Sequence, residues 1–490
     1  MENLYINTIP IAGLPGEIEK MLVDVFLVTN INLQKSIHNL KEYVKELKDD
    51  LFVHVEYPYV DKVYRDSYYN YFASKKDDYS RNSIRLSFFS EDLKEEDFRD
   101  SKMLDHVQSC YKGFLVIRPT FPFIIGRSVI SPQAFKSNNV LISSVSYSST
   151  ANAIKLKVSG FPHSSQDSET ISCAEATVWS IMEYFGNRYP EYTPILPSLV
   201  NSVLEKFSFE RLIPSKGLTA QQISYALKEL GFGVKIYSQS SYISEFFELL
   251  RIYVESGIPV VGLIQNDKGI GHAVNIVGRK KPTGAEIDAI PVLKTINGTI
   301  NVHDFAQLDI DYVCVDDNYP PYRTCTLSKP ASYYTNPLWA DCRISSFIVP
   351  LYPKIYLEAG EARKIAITLI EEFTNMGIVT NREILIKTFL ASSRSFKNEI
   401  ALNDSLQTDA KELLLSISMP KFIWVTEIGD KAQMKAGNVS GMMILDATEP
   451  KRAGIIAALI ENNYIANDLN NLKMISLPLH SFKSYQNNLK

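Results

Sequence analysis

The order of helical and strand-like segments in the middle of the chain is the feature that most limits its fold. Residues 172–186 carry apolar side chains at helical spacing, and two further helices are indicated at 219–231 and 241–256. Three strand-like runs follow them, at residues 259–264, 271–278 and 312–316. Helices first and neighbouring strands afterwards favour an α+β fold, in which a helix packs on an antiparallel sheet.

Cys173 stands at the start of the first of these helices, directly after Ser172, a good N-cap residue. Unpaired N–H groups and the helix macrodipole favour an anion at that end, and the thiolate is the nucleophilic form of cysteine. Taken alone, a cysteine in this position is more commonly a small buried apolar residue. The residues downstream of it give the position its significance.

His272 follows a glycine in the strand 271–278, and Asp316 and Asp317 end the strand 312–316. An imidazole can deprotonate a thiol, and a carboxylate can orient the imidazole. Neighbouring strand residues point to opposite faces, so one of the two aspartates meets the histidine; we expect Asp316, with Asp317 as the alternative. Gln166, seven residues before Cys173, is the candidate oxyanion donor together with the Cys173 backbone N–H. Each residue alone is better explained by core packing, turn formation or solvation; their order in one segment predicts a catalytic site.

The same positions resemble the papain-like cysteine peptidase superfamily, most closely the branch of double-glycine peptidase domains that cleave bacteriocin leaders. In that branch a glutamine precedes the cysteine of the central helix, Gly-His begins an apolar strand, and an aspartate follows the next strand. Gln166, Cys173, Gly271-His272 and Asp316 match this pattern, over roughly residues 150–350. The chain departs from it by a Gln–Cys spacing that is one residue longer, by an insertion at 279–311, and by Asp317 where proline is common.

The resemblance implies a papain-like α+β core, in which the helix bearing the cysteine packs on the antiparallel sheet bearing the histidine and the aspartate. It implies a cysteine peptidase or amidohydrolase that cleaves a peptide or isopeptide bond and uses no cofactor. Two alternatives stay open: a catalytically silent peptide-binding module on the same scaffold, and a transglutaminase-like acyl transferase. Residues 111–119 and 126–128 also resemble a group of bacterial proteins that carry such a domain.

The length of 490 residues suggests three domains. We expect an N-terminal α+β domain at 1–148, the peptidase-like domain at 149–354, and a C-terminal α/β domain at 355–490. In the last of these, three segments are predicted helical (358–375, 381–392 and 451–462) and two are predicted strands (422–428 and 441–446). The flanking domains carry no recognisable chemistry, and we expect them, or the insertion, to restrict access to the site.

Charge and cysteine content narrow the classes of partner. The net charge of −4 favours neither nucleic acid nor an anionic membrane, and no long apolar run is present, so a cytoplasmic location is the default expectation. Five cysteines, without CxxC or HxxxH spacing, predict neither a disulfide framework nor a metal site. Arg118 and Arg127 are expected to pair within the N-terminal domain rather than to recognise an acidic partner. The expected partner is a peptide or protein substrate, and the oligomeric state stays open.

Overall fold

The computed structural model describes residues 4–28, 30–76, 79–167, 169–207, 218–449, 455–468 and 471–490. The strands, in chain order, are β1 (Tyr5–Pro10), β2 (Phe52–Tyr59), β3 (Ser83–Phe89), β4 (Tyr111–Ile117), β5 (Ile125–Ile130), β6 (Val140–Ile142), β7 (Val145–Ala151), β8 (Ile154–Gly160), β9 (His163–Ser164), β10 (Gly233–Ser238), β11 (Val260–Gln265), β12 (Gly271–Lys280), β13 (Val292–Ile296), β14 (Ile300–Asp304), β15 (Tyr312–Val315), β16 (Arg323–Cys325), β17 (Arg343–Leu351), β18 (Glu383–Ser392), β19 (Phe422–Gly429), β20 (Asn438–Val439), β21 (Gly441–Asp446), β22 (Ile455–Ile460), β23 (Asn463–Asp468), β24 (Asn471–Ser476) and β25 (Phe482–Lys483).

The described residues also form α-helices. In chain order they are α1 (Leu14–Asp24), α2 (Asn30–Lys45), α3 (Lys62–Asn70), α4 (Leu104–Cys110), α5 (Cys173–Arg188), α6 (Pro197–Leu204), α7 (Ala220–Glu229), α8 (Phe246–Glu255), α9 (Gly284–Asp288), α10 (Ala359–Asn375), α11 (Ser393–Leu402), α12 (Thr408–Ser416) and α13 (Lys431–Lys435). Helix and strand each account for 32% of the chain, so the mixed α+β class expected from the sequence is confirmed. No helix among these is long and apolar enough to span a membrane.

Three large sheets organise the molecule. The first has the strand order β1-β2-β3-β4-β5-β9, the second β10-β17-β11-β12-β15-β16 with β6 also paired to β12, and the third β13-β14-β18-β19-β21-β22-β23-β24. Every strand pair in the described residues is antiparallel except β14 with β18. The second sheet carries the strands of the predicted site, while the first sheet is built mainly from N-terminal strands and the third mainly from C-terminal strands.

The sheets exchange strands across the boundaries expected at residues 148 and 354. Strand β9, from the middle region, extends the first sheet beside β5, while β6, from the N-terminal region, pairs with β12 of the second. The insertion contributes β13 and β14 to the third sheet, where β14 runs parallel to β18. The last residue, Lys490, exchanges two backbone hydrogen bonds with Ile142 of β6. The middle region therefore shares its hydrogen-bonded sheets with both of its neighbours.

Two large apolar cores follow the same pattern. One joins helix α5 and one face of β12 to residues of β2, β3 and β4, so it spans the N-terminal and middle regions. The other joins the opposite face of β12 and helix α8 to α10, β18 and β21 of the C-terminal region. Both faces of the second sheet are covered, and its central strands are apolar on both sides for that reason.

Two of the helix predictions for the C-terminal region are wrong, because these segments form strands. Residues 383–392 form β18, which lies between β14 and β19 and is buried on both faces. Residues 455–460 form β22, and 450–454 lie outside the described residues. A strand with two buried faces has nearly continuous apolar sequence, which periodicity alone does not separate from a helix. The helix at 358–375 and the strands at 422–428 and 441–446 are confirmed, with small shifts at their ends.

Candidate active site

Cys173 is the first residue of α5, with Ser172 as its N-cap. The Glu175 side chain turns back over this end, and its Oε2 accepts from the Ser172 backbone N–H at 3.2 Å, which completes a capping box. The N–H groups of the first helical turn have no acceptor within the helix. Cys173 is partly exposed, whereas Cys110, Cys314, Cys325 and Cys342 are buried. It is thus the cysteine most accessible to a substrate or a reagent.

Hydrogen bonds fix helix α5 on strand β12. The Thr177 hydroxyl donates to the backbone oxygen of Cys173 at 2.7 Å and lies 3.3 Å from that of Ala273. The Asn275 side-chain amide donates to the Thr177 carbonyl at 3.1 Å. Asn275 is a polar interruption in an otherwise apolar strand, and this contact explains it. The buried bonds hold the helix that carries the cysteine in register with the strand that carries the histidine.

His272 and Asp316 form the central contact of the site. His272 Nε2 lies 2.9 Å from Asp316 Oδ1, and both side chains are buried, with 4% and 0% of their surface exposed. A carboxylate only accepts, so Nε2 carries the proton and Nδ1 is the ring nitrogen left to act as a base. The Cys173 side chain is close enough to His272 to contribute to the raised pKa of this imidazole. The structure therefore brings together the three residues that the sequence placed on a helix, a strand and a strand end.

Asp316 accepts hydrogen bonds from three groups in addition to His272. Its Oδ1 also receives the Asn318 backbone N–H at 2.9 Å, and its Oδ2 receives the hydroxyls of Tyr333 and Tyr334, each at 2.8 Å. Burial alone would raise the pKa of this carboxyl; the charge and hydrogen bond of His272 and the other donors outweigh it and lower the pKa to about 2. Asp316 is thus a buried anion, and both of its carboxylate oxygens accept hydrogen bonds from protein groups.

The imidazole responds to the same contact. Burial disfavours imidazolium, but the charge and hydrogen bond of Asp316, the Cys173 side chain and the charge of Asp317 together hold the pKa of His272 well above its usual value. The raised pKa favours a positively charged imidazole next to Cys173.

Asp317 has a different environment from its neighbour. Its Oδ1 is 3.6 Å from His272 Nε2, and neither carboxylate oxygen has a hydrogen-bond partner although both are buried. Burial, together with the nearby charge of Asp316, raises the pKa of Asp317 to about 7 despite the opposing effect of His272. Ligand atoms of His272, Asp316 and Asp317 lie within 4.8 Å of one another, so this group has the spacing of a metal site. The hydrogen bonds to both oxygens of Asp316 satisfy that carboxylate without a cation.

Aromatic side chains from the segment 326–342 cover the histidine. Tyr334 and Trp339 stack with ring centroids 3.7 Å apart and planes inclined by 8°. Trp339 meets the His272 ring edge to face at 5.3 Å. Tyr334 and Trp339 therefore shield the His272–Asp316 hydrogen bond from water, and this shielding strengthens the hydrogen bond. The sequence analysis missed these residues, and the only signal for them was the local density of aromatic residues after β16.

Gln166 lies on the aspartate side of the site. Its side-chain amide donates to the Asn318 side-chain oxygen, and the Asn318 amide in turn contacts the Tyr334 hydroxyl at 3.1 Å. Gln166 thus joins the network around Asp316. The loop that carries it is held by the Arg118 guanidinium, which donates to the backbone oxygens of Ser165 at 2.8 Å and Gln166 at 2.6 Å.

Strand β9, which the middle region adds to the first sheet, contributes a second buried support. His163 Nε2 donates to the Asp316 backbone oxygen at 3.2 Å, and its Nδ1 lies 3.2 Å from the Ser128 hydroxyl. Burial lowers the pKa of His163 to about 4, so this ring is neutral at neutral pH. Arg127, by contrast, pairs with the buried Asp61 inside the N-terminal region, as expected. Arg118 and His163 are therefore the residues through which the first sheet positions the site.

Comparison with known proteins does not assign this site to a family. The chain matches no protein-family model and no curated protein sequence.

Proposed function

We propose that the protein is a papain-like cysteine hydrolase that cleaves a peptide or isopeptide bond through Cys173, His272 and Asp316. One observation carries the proposal: a buried histidine donates to a fully hydrogen-bonded carboxylate, and its pKa is raised in part by a partly exposed cysteine at a helix N-terminus. These are the three roles of a thiol hydrolase: nucleophile, base and orienting group. The resemblance of the motifs to the double-glycine peptidase branch supports the same chemistry.

The reaction follows from the positions of the atoms. The Cys173 thiolate attacks the carbonyl carbon, and the imidazolium of His272 gives its proton to the leaving amine as the C–N bond breaks. Water then attacks the thioester carbon while His272 takes one of its protons; the C–S bond breaks, and an acid is released. Asp316 holds the ring throughout. N–H groups of the first turn of α5 and the amide of Gln166 are the candidate oxyanion donors.

The decisive experiment measures the reactivity of Cys173 in the full chain. Iodoacetamide is added at neutral pH, and the modified cysteine is identified by peptide mapping against time. We expect Cys173 to react faster than free N-acetylcysteine under the same conditions and far faster than the four buried cysteines. His272→Ala should abolish the excess rate, whereas His480→Ala, a matched change at an exposed histidine, should leave it unaltered.

Activity is then sought with a library of peptide amides, and Cys173→Ala is the control. Release of new amino termini that depends on Cys173 supports hydrolysis; incorporation of an added amine in place of water indicates the acyl-transferase alternative. Fast labelling of Cys173 with saturable peptide binding but no turnover indicates the binding module. A Cys173 rate equal to that of the free thiol, unaltered in His272→Ala and with native circular dichroism, refutes the proposal.

A further inference from the structure

A second group of nucleophilic and basic side chains lies in the N-terminal region, away from the site described above. His106 Nε2 is 3.2 Å from Glu91 Oε2 and 3.7 Å from Cys110 Sγ. The three ligand atoms all lie within 4.8 Å of one another. Cys110 is buried, while the side chains of His106 and Glu91 are 41% and 59% exposed. The cluster Glu91–His106–Cys110 is thus open to solvent on one side and anchored in the core on the other.

The fold places these residues on rigid supports. His106 and Cys110 are one turn apart on α4, so their side chains lie on the same face of the helix. Cys110 is directly followed by β4, and Glu91 comes two residues after β3. Strands β3 and β4 are paired there, with Phe89 opposite Tyr111, and the Ser90 backbone N–H donates to the Cys110 oxygen at 3.0 Å. The cluster therefore closes the base of the connection between two adjacent strands.

A hydrogen bond from His106 satisfies only one of its two neighbours fully, and the Ser109 hydroxyl, 3.9 Å from Cys110 Sγ, is the other polar contact of the sulfur. One ring nitrogen, His106 Nε2, faces both the sulfur and the carboxylate oxygen, and a single N–H points at only one of them. A cation at the centre satisfies all three groups. For tetrahedral zinc, bond lengths of about 2.3 Å to sulfur and about 2.0–2.2 Å to nitrogen and oxygen put N···S near ~3.6 Å and N···O near ~3.4 Å. The observed 3.7 and 3.2 Å agree with these values.

We propose that Glu91, His106 and Cys110 bind a zinc ion. Thiolate and imidazole ligands favour zinc over magnesium or calcium, which prefer oxygen ligands alone. The fourth position faces solvent and takes a water molecule. The ion clips the connection between β3 and α4 to the end of the sheet, and it stands independently of the proposed hydrolase activity. The sequence search for paired cysteine or histidine motifs missed it because only His106 and Cys110 are close in sequence.

Cobalt(II) is the probe, because a cysteine ligand produces a thiolate-to-cobalt charge-transfer band in the near ultraviolet and tetrahedral geometry gives intense visible bands. Full-length protein is stripped with a chelator, reduced and titrated with Co²⁺, and Zn²⁺ is then added in competition. We expect one Co²⁺ per chain with a charge-transfer band, displacement of that band by Zn²⁺, and a higher Tm with Zn²⁺ than without it.

Cys110→Ser should remove the charge-transfer band, and His106→Ala, at a partly exposed position, should weaken Co²⁺ binding at least tenfold without unfolding the chain. Cys342→Ser and His480→Ala are matched controls with unaltered titrations. The titration is repeated in Cys173→Ala, since His272, Asp316 and Asp317 form the other group with metal-site spacing. A band that persists in Cys110→Ser and His106→Ala, a band lost only in Cys173→Ala, or no binding at micromolar Co²⁺ each overturns the proposal.

Discussion

Substitution of Asp316 by asparagine removes the negative charge of the orienting group and keeps its shape. Oδ1 of Asp316 accepts from two donors, His272 Nε2–H and the Asn318 backbone N–H. These donors require an oxygen at that position, so the asparagine carbonyl should occupy it and its NH₂ should replace Oδ2. The hydroxyls of Tyr333 and Tyr334, which donate to Oδ2, can rotate and accept instead. The histidine therefore keeps its acceptor in Asp316→Asn and loses only the negative charge.

The two variants at this position should differ by about tenfold. A hydrogen bond to a charged group contributes about 1.5–3 kcal/mol and a neutral one about 0.5–1.5 kcal/mol. Since ~1.4 kcal/mol corresponds to a factor of ten, Asp316→Asn should lower the fraction of thiolate–imidazolium pairs about tenfold. Asp316→Ala removes the acceptor altogether, and we expect roughly a hundredfold loss.

The assay is the second-order rate constant for alkylation of Cys173 between pH 5 and pH 9. Loss of the Asp316 charge lowers the pKa of His272, so the ion pair is disfavoured at neutral pH. At high pH the thiol ionises without help from imidazolium, and the defect of both variants should shrink. Asp317→Asn is the matched control, with a change below about threefold. Equal rates for wild type and Asp316→Ala, or a larger defect in Asp317→Asn than in Asp316→Asn, would refute the assignment of Asp316.

Three further outcomes are expected. Gln166→Ala should lower turnover by about 100-fold and iodoacetamide labelling far less, because alkylation builds no oxyanion and Gln166 reaches Asp316 only through Asn318; equal effects on both would exclude an oxyanion role. Asp317→Asn should raise the Tm more at pH 8 than at pH 5: the pKa of Asp317 is raised to about 7 in the fold, so the folded state binds the extra proton and loses stability as pH rises from about 4 to about 7. Expression of residues 149–354 alone should yield no cooperative unfolding transition in circular dichroism, because strands β6 and β18 are removed and both cores lose the residues that the flanking regions supply; a sharp melt would contradict this.

The parts of the site that depend on local sequence could be predicted. Ser172 is the N-cap of α5, as its residue type and its position before the apolar helical segment indicated. Strands β12 and β15 also lie where alternation and β-branched residues indicated. Such features follow from interactions among neighbours in the chain, which a sequence displays directly.

The parts of the site that depend on contacts between distant residues could not be predicted from the sequence. Nothing near Arg118 or His163 indicates that these side chains bind backbone oxygens at residues 165, 166 and 316, because the partners lie about 50 to 150 residues away. Tyr334 and Trp339, which cover His272, lie in a segment whose sequence has no regular periodicity. The strand β18 was missed because its neighbours in the sheet, β14 and β19, decide its conformation over local preference.

These long-range contacts alter the role assigned to the N-terminal region. From the sequence, the flanking regions were expected to limit which substrates reach the groove. The structure shows a more basic role: Arg118 of the N-terminal region holds the loop of Gln166, and His163, on the strand β9 that the middle region adds to the first sheet, holds the backbone of Asp316. Both supporting side chains are buried, so their contacts are not transient surface pairs. A change in that sheet would displace the orienting carboxylate, and selectivity is therefore better tested by point substitutions around the groove than by removal of a domain.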